Sequence, residues 1–321
     1  MLFQGHRFQR LRTYHLATAR DVDATVAADA RTDWFAAYLP STLLLGDPGV
    51  RDAMMHGNQV CVPDATLLPE GIERNVPAGA AMFDADSLRF RATERSRDGD
   101  AYVYDIALRD AAGAVVDRWE GLRLRAVRKR DGSGPWYPVL LGSYLERAMH
   151  DVLGSAIAVA VEPAPAGPLQ PITTVAVGRA LGGPVMVRYS EDGQPRVPGK
   201  RTVSASSAAG LALCVAATDP VGCAVAAVES RTGQAWADRL GEHASVAHLV
   251  AEAASEPLDA AATRLQVARQ CLPDAGEWRV TAAEPIGWVV LGCGDRRVAT
   301  FCHSSVRRPR QGCRGRSQRR A

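Results

Sequence analysis

The chain has 321 residues, 47% hydrophobic and 23% charged, with a formal net charge of +3, the composition of a soluble globular protein with room for two domains of ordinary size. No apolar run approaches the roughly 20 residues a membrane-spanning helix needs, and the opening Met-Leu-Phe-Gln-Gly-His-Arg lacks the apolar core of a signal peptide, so a cytoplasmic address and no membrane partner are expected. Residues 303–321 carry seven arginines and no acid, which leaves the rest of the chain net acidic and argues against specific nucleic-acid binding by its folded part.

Residues 8–30 alternate as strands do, with Val22, Ala24, Val26 and Ala28 on one face. Apolar Trp34 to Leu45 leads into Asp47-Pro48-Gly49, where proline presets a first helical φ and aspartate can accept orphan amide hydrogen bonds. A helix is therefore expected from about Val50. On it Asp52 and His56, four residues apart, share one face near the N-terminus. By spacing alone a solvated ion pair outweighs a catalytic acid and imidazole. Leu67-Leu68-Pro69 and strand-like Gly71–Arg74 follow. Leu88–Thr93, Ala101–Arg109 and Val115–Val127 then read as an antiparallel meander, with a turn at Asp110–Gly113.

Arg128–Pro135 is polar and rich in turn residues, closing a first domain, and a helix is expected over Gly142–Leu153. Pro163–Pro168 holds three prolines in six residues and reads as a stiff spacer. Beyond apolar Ser155–Val161 come a helix over Thr173–Leu181 and strands at Val185–Tyr189, Arg201–Ser206 and Val221–Val228. Helices are expected over Thr232–Leu240 and Leu258–Leu272, then short strands at Trp278–Ala282, Trp288–Leu291 and Arg297–Phe301. Seven cysteines at irregular spacing form neither a disulfide framework nor a zinc-ligand pattern, and Cys223 reads as a core thiol.

Asp52-Ala53-Met54-Met55-His56, followed by Cys61-Val62-Pro63 and Leu67-Leu68-Pro69, resembles the Asp-x-x-x-Gln/His motif of polyketide synthase dehydratase domains. In that family the motif lies on the long helix of the second of two hotdog repeats. Leu2 to Arg10 is similar to the Tyr-Gly-Pro-x-Phe segment that opens the same repeat, with His6 where the family usually has proline. Trp34-Phe35-Ala36-Ala37-Tyr38-Leu39-Pro40 brings the variant closest to enediyne-type iterative synthases. The resemblance covers residues 1 to about 130. It implies a hotdog, with Asp52 as acid toward a β-hydroxyl and His56 as its orienting neighbour. The family's base is a histidine of the first repeat, in a His-x-x-x-Gly-x-x-x-x-Pro segment that this sequence does not contain. The base is thus expected from another polypeptide. A half double-hotdog would expose the face meant for its partner, so association is expected, as a homodimer or with a chain supplying the first repeat.

Val203–Ser207, Val221–Ala226 and Thr263–Asp274 resemble, in order, the three motifs of 4′-phosphopantetheinyl transferases, with Gly193-Gln194-Pro195 at the family's Gly-Lys/Arg-Pro turn. The match spans about residues 155–302. Ser204, Ser206 and Ser207 occupy the coenzyme A motif, Ser207 in place of its histidine. Ala224 and Ala226 replace the aspartate and glutamate that hold Mg²⁺, and Gln270 and Asp274 replace a glutamate and a lysine. Alanine side chains offer no oxygen ligand, and Gln270 cannot take a proton as a carboxylate would. Coenzyme A and Mg²⁺ are the nominal cofactors of the resemblance, and no tight Mg²⁺ binding is expected. The alanines pack without stranding charge, so the fold is expected to persist.

Together these readings give an α+β chain. Residues 1–130 form a hotdog, a long helix wrapped by antiparallel sheet, and 131–154 a linker and helix. Residues 155–302 form a phosphopantetheinyl-transferase-like α+β domain, and 303–321 a basic disordered tail. The nominal activities are dehydration of β-hydroxyacyl-carrier-protein intermediates and transfer of phosphopantetheine to an acyl carrier protein. The dehydratase half is expected to be incomplete and the transferase half inactive. The alternative is a non-catalytic module that holds a carrier protein beside the remaining synthase domains.

Overall fold

The structure, a computed structural model, describes residues 5–28, 38, 46–77, 87–130, 136–154, 156–164, 170–272, 276–284, 288–293 and 295–302. Most of Trp34 to Leu45, Asp274 and the basic tail lie outside the described residues.

The first region is one antiparallel sheet around one helix. Strands β1 (Leu11–Ala17), β2 (Asp21–Val26), β3 (Ala65–Val76), β4 (Leu88–Asp98), β5 (Ala101–Arg109) and β6 (Val115–Lys129) lie in the order β1-β2-β4-β5-β6-β3. Period-two alternation decides which side chains meet. Val22, Ala24 and Val26 share the concave face with Phe90, Tyr104, Ile106, Leu108, Trp119, Leu122 and Leu124, and all close over Val50, Ala53 and Met54 of helix α1 (Pro48–His56). The step from Trp119 to Leu122 keeps both inward because Gly121, at φ +65°, absorbs an extra residue. A Cβ at Gly121 would also run into the Glu73 side chain.

The Asp-Pro-Gly entry forms as read, with the helix starting two residues before Val50. Pro48 is the first helical residue, and the Asp47 carboxylate accepts from the Gly49 amide at 2.7 Å. The expected long helix is a correction: α1 has nine residues and tightens into a 3₁₀ turn over Gly57–Cys61. Gly57 passes so close beneath Phe90 that a Cβ there would lie 2.8 Å from the ring. Beyond it Gln59 takes over the hydrogen bonding. Its amide donates to the Val62 and Ala65 carbonyls at 2.9 and 2.7 Å and accepts from the Leu67 amide at 2.9 Å, steering the chain into β3. The strand expected at Gly71–Arg74 extends back through Leu67-Leu68-Pro69 as one strand with a bulge, and proline is tolerated there because β3 is a sheet edge.

Helix α2 (Pro138–Leu153) starts four residues before Gly142, with Pro138 at its first position, and ends on Gly154 at φ +68°. It packs on both sides. Gly142 lets it lie against strand β7 (Ala158–Pro163), where a Cβ would come 3.0 Å from the Val161 amide. From the other face Arg147 enters the hotdog, donating to the Cys61 carbonyl at 2.7 Å, to the Ala19 carbonyl and to Glu94.

The second region holds α3 (Gln170–Ala180), the short pair β8 (Arg188–Tyr189) and β9 (Pro195–Arg196), then β10 (Thr202–Ala208) and β11 (Leu211–Ala217). Helices α4 (Gly233–Leu240), α5 (Ala244–Ala254) and α6 (Leu258–Cys271) follow, then β12 (Trp278–Glu284), β13 (Trp288–Cys293) and β14 (Arg296–Phe301). Two three-stranded antiparallel sheets result, β10-β11-β7 against α3 and β12-β13-β14 against α4, α5 and α6. Between them Trp136 stacks on Tyr144 at 4.8 Å, and the Trp288 indole donates to the Tyr144 hydroxyl at 3.1 Å.

Three elements here were not expected from sequence, β9, β11 and α5, and one expected strand does not form. Val221–Val228 joins no sheet. Serine hydroxyls stand in for a ladder: Ser204 Oγ accepts from the Cys223 amide at 3.2 Å and Ser206 Oγ from the Val225 amide at 3.1 Å.

Candidate functional site

On α1 the apolar side chains of Val50, Ala53 and Met54 fix the inward face, which leaves Asp52 and His56 half-buried on another. His56 Nε2 lies 3.6 Å from Asp52 Oδ1. Burial pushes the Asp52 carboxyl above the ordinary carboxylate range, and the His56 imidazole opposes that push. A carboxyl moved toward its neutral form is suited to give a proton to a leaving oxygen.

The helix is braced around this pair. At its start Arg10 Nη2 lies 3.5 Å from Asp47 Oδ2. Arg51 Nη1 contacts Asp117 Oδ2 of β6 at 3.1 Å, and the guanidinium lies 5.1 Å over the Trp119 ring. At its end the Tyr14 hydroxyl of β1 donates to the Gly57 carbonyl at 3.1 Å. None of these supports was read from the sequence. Asp117 lies 66 residues from Arg51 and Tyr14 lies 43 from Gly57, and no local spacing signals such pairs.

The pH dependence follows from Asp52. Its raised pKa means that the folded chain holds the proton more tightly than the unfolded chain, so this contribution is present below the unfolded value and lost as pH rises through the folded one. Asp52→Asn is therefore expected to be more stable than the parent at pH 7 in urea unfolding, with the difference shrinking toward about pH 4, near the ordinary aspartate value. An equal or lower stability at pH 7 would contradict the burial assigned to this carboxyl.

The second constellation comes together differently. Ser204, Ser206 and Ser207 are half-buried on β10, and the first two hold the segment bearing half-buried Ala224 and Ala226. Ala226 lines a cleft of about 250 Å³ with Ala208, Arg231, Trp236, Thr263 and Gln266. Gln270, one turn beyond Gln266 on α6, is exposed and does not line it, and Asp274 lies outside the described residues. Glu229 also borders the cleft, but its carboxylate pairs with Arg231. Among the described residues no group of three or more His, Cys, Asp and Glu could hold a metal ion. Burial pushes the Cys223 thiol up to about 12 and keeps it protonated.

Residues 1–134 match the family model described as the polyketide synthase dehydratase N-terminal domain. They are a polyketide synthase dehydratase-type region. Among solved structures the chain is similar to AziG of S. sahachiroi at 18% identity and TM-score 0.28, covering 37% of this chain and 91% of that one. It is similar to a trans-acyltransferase polyketide synthase enoyl-isomerase at 12% identity and TM-score 0.31, covering 38% of this chain and 46% of that one. For the dehydratase domain of RzxB from Pseudomonas fluorescens the identity is 21%, the TM-score 0.29, and the shares 38% and 42%. The chain thus spans less than half the length of the latter two. Curated proteins give no match. Asp52 and His56 fall inside the dehydratase-type region, and the serine and alanine positions fall outside it.

Proposed function

We propose that the dehydratase-type region takes part in dehydration of β-hydroxyacyl thioesters carried on an acyl carrier protein, and that it corresponds to a second hotdog repeat. The observation that carries this is the half-buried Asp52, its carboxyl raised by burial and His56 at 3.6 Å, within residues matching a dehydratase family model. A base, expected from another polypeptide, removes the α-proton. The C–O bond then breaks with its electron pair on oxygen, and the Asp52 proton completes the departing water. The His56 imidazole keeps the carboxyl oriented. The test incubates a β-hydroxyacyl carrier protein with the chain, alone and with a first-repeat polypeptide, and follows loss of one water by intact mass. No loss in either mixture, from folded samples, would overturn the reading.

We further propose that residues 155–302 form a phosphopantetheinyl-transferase-like domain that does not transfer. What supports this is the donor set. Ala224 and Ala226 supply no side-chain oxygen, and Glu229 is engaged by Arg231, so the residues present do not fit Mg²⁺, which needs one or two carboxylates beside substrate phosphates. A carrier protein incubated with the chain, coenzyme A and Mg²⁺ should keep its apo mass while a control transferase converts it. Conversion by the chain would sink the claim. The remaining role for this domain is holding a carrier protein, and such binding should persist without Mg²⁺ or coenzyme A.

A further inference from the structure

Strand β1 and the segment before it run beside α1 and touch both of its ends. Arg10 reaches the cap residue Asp47, and Tyr14 reaches Gly57, where the helix stops. The spacing suits this. Four residues of strand span roughly 13 Å, and the ten steps from Asp47 to Gly57 span roughly 15 Å of helix. Register shifts lie on both sides of Tyr14 in its pairing with β2, between Leu11 and Thr13 and between Tyr14 and Leu16. Bulges of this kind turn a side chain out of plain alternation. The Phe90 ring lies so close to Gly57 that it leaves no room for a side chain there. The Gly57 carbonyl belongs to the residue directly after His56.

We propose that Tyr14 is a positioning residue of the Asp52–His56 pair, its hydroxyl bond to Gly57 holding the last turn of α1 so that the imidazole stays within reach of the carboxyl. The inference rests on the dehydration reading only for its catalytic meaning; the geometric claim stands apart from it. Without the bond the Gly57 carbonyl loses a protein donor, the terminal turn frays, and His56, in that turn, moves relative to Asp52, one turn earlier. Burial, with the Cys61 thiol nearby, raises the Tyr14 phenol well above its ordinary value, so the donor keeps its proton across the whole working pH range. The brace therefore does not titrate. Among the described residues, the charged and titratable groups near the pair include each other, Arg51 beside Asp52 in sequence with its partner Asp117, and Cys61 beside Tyr14.

The test is the coupling between Asp52 and His56, read from the Asp52 carboxyl carbon by NMR titration in four proteins: parent, His56→Gln, Tyr14→Phe and the double variant. In the Tyr14 background, His56→Gln should raise the Asp52 midpoint, because an opposing cation is removed. In the Tyr14→Phe background that shift should fall to half or less. Phenylalanine keeps the ring packing, and near-ultraviolet circular dichroism checks the fold. Should it be lost, Tyr14→Met removes the donor at similar volume and is read the same way. Equal His56→Gln shifts in both backgrounds would overturn the proposal, whatever the dehydration assay gives. Conversely, a diminished shift in a chain that never dehydrates would uphold the positioning role and count against the dehydration reading alone.

Discussion

Replacing Arg147 with methionine is expected to destabilise the chain by about 3–5 kcal/mol, the range for breaking a buried ion pair on one side. Arg147 is 8% exposed and, from α2, reaches four acceptors in the hotdog: the Cys61 and Ala19 carbonyls, Glu94 and the Tyr104 hydroxyl at 3.3 Å. It also lies 5.0 Å over the Tyr102 ring. Methionine keeps much of the volume but leaves Glu94, whose side chain is 6% exposed, with the Tyr104 hydroxyl at 3.2 Å as its one side-chain donor among the described residues. The stranded carboxylate, more than the lost attraction, makes the effect large. Adding Glu94→Met should therefore recover part of the loss, with a coupling energy of about 0.5–3 kcal/mol. Urea unfolding of the two single variants and the double measures both quantities. A loss under about 1 kcal/mol for Arg147→Met would mean that water reaches Glu94 and the site is not dry.

Asp52→Asn is expected to lower dehydration, where the chain is reconstituted with a base, by about 10²–10⁴-fold, the usual contribution of a positioned general acid. Asparagine matches aspartate in shape, so the substrate should bind with unchanged KM and the loss should fall on kcat. The pairing of results is diagnostic. The same variant that is more stable at neutral pH should be the inactive one, since the burial that raises the carboxyl also costs stability when it ionises. Activity within about twofold of the parent would remove Asp52 from the chemistry and return the pair with His56 to a solvated helix contact.

What could be read beforehand followed from local rules. The Val22, Ala24 and Val26 alternation, the Asp47-Pro48-Gly49 cap and the meander from Leu88 to Val127 are decided by neighbours in sequence, and each forms. The Asp52–His56 proximity is of the same kind, fixed by helical spacing. What escaped was set by tertiary contact. The length of α1 depends on Phe90 crowding Gly57, the missing strand at Val221–Val228 on serine hydroxyls 19 residues away, and the start of α2 on Pro138 rather than on an apolar period. Strand β11, Leu-Ala-Leu-Cys-Val-Ala-Ala, is the middle strand of its sheet and buries both faces in part, which erases the alternation that marks a half-exposed strand.

Helix α2 has a consequence for how such a chain can be inherited or cut. The polar stretch after β6 looks like a seam, yet a fragment ending at Arg130 would lose the guanidinium that satisfies Cys61, Ala19 and Glu94. A fragment beginning after Gly154 would lose Glu146, which accepts from the Val159 amide at 3.0 Å, and Tyr144, which receives the Trp288 indole. The same sixteen residues are thus owed to both neighbours. A rearrangement that moves either region would therefore have to carry this helix with it to keep those contacts.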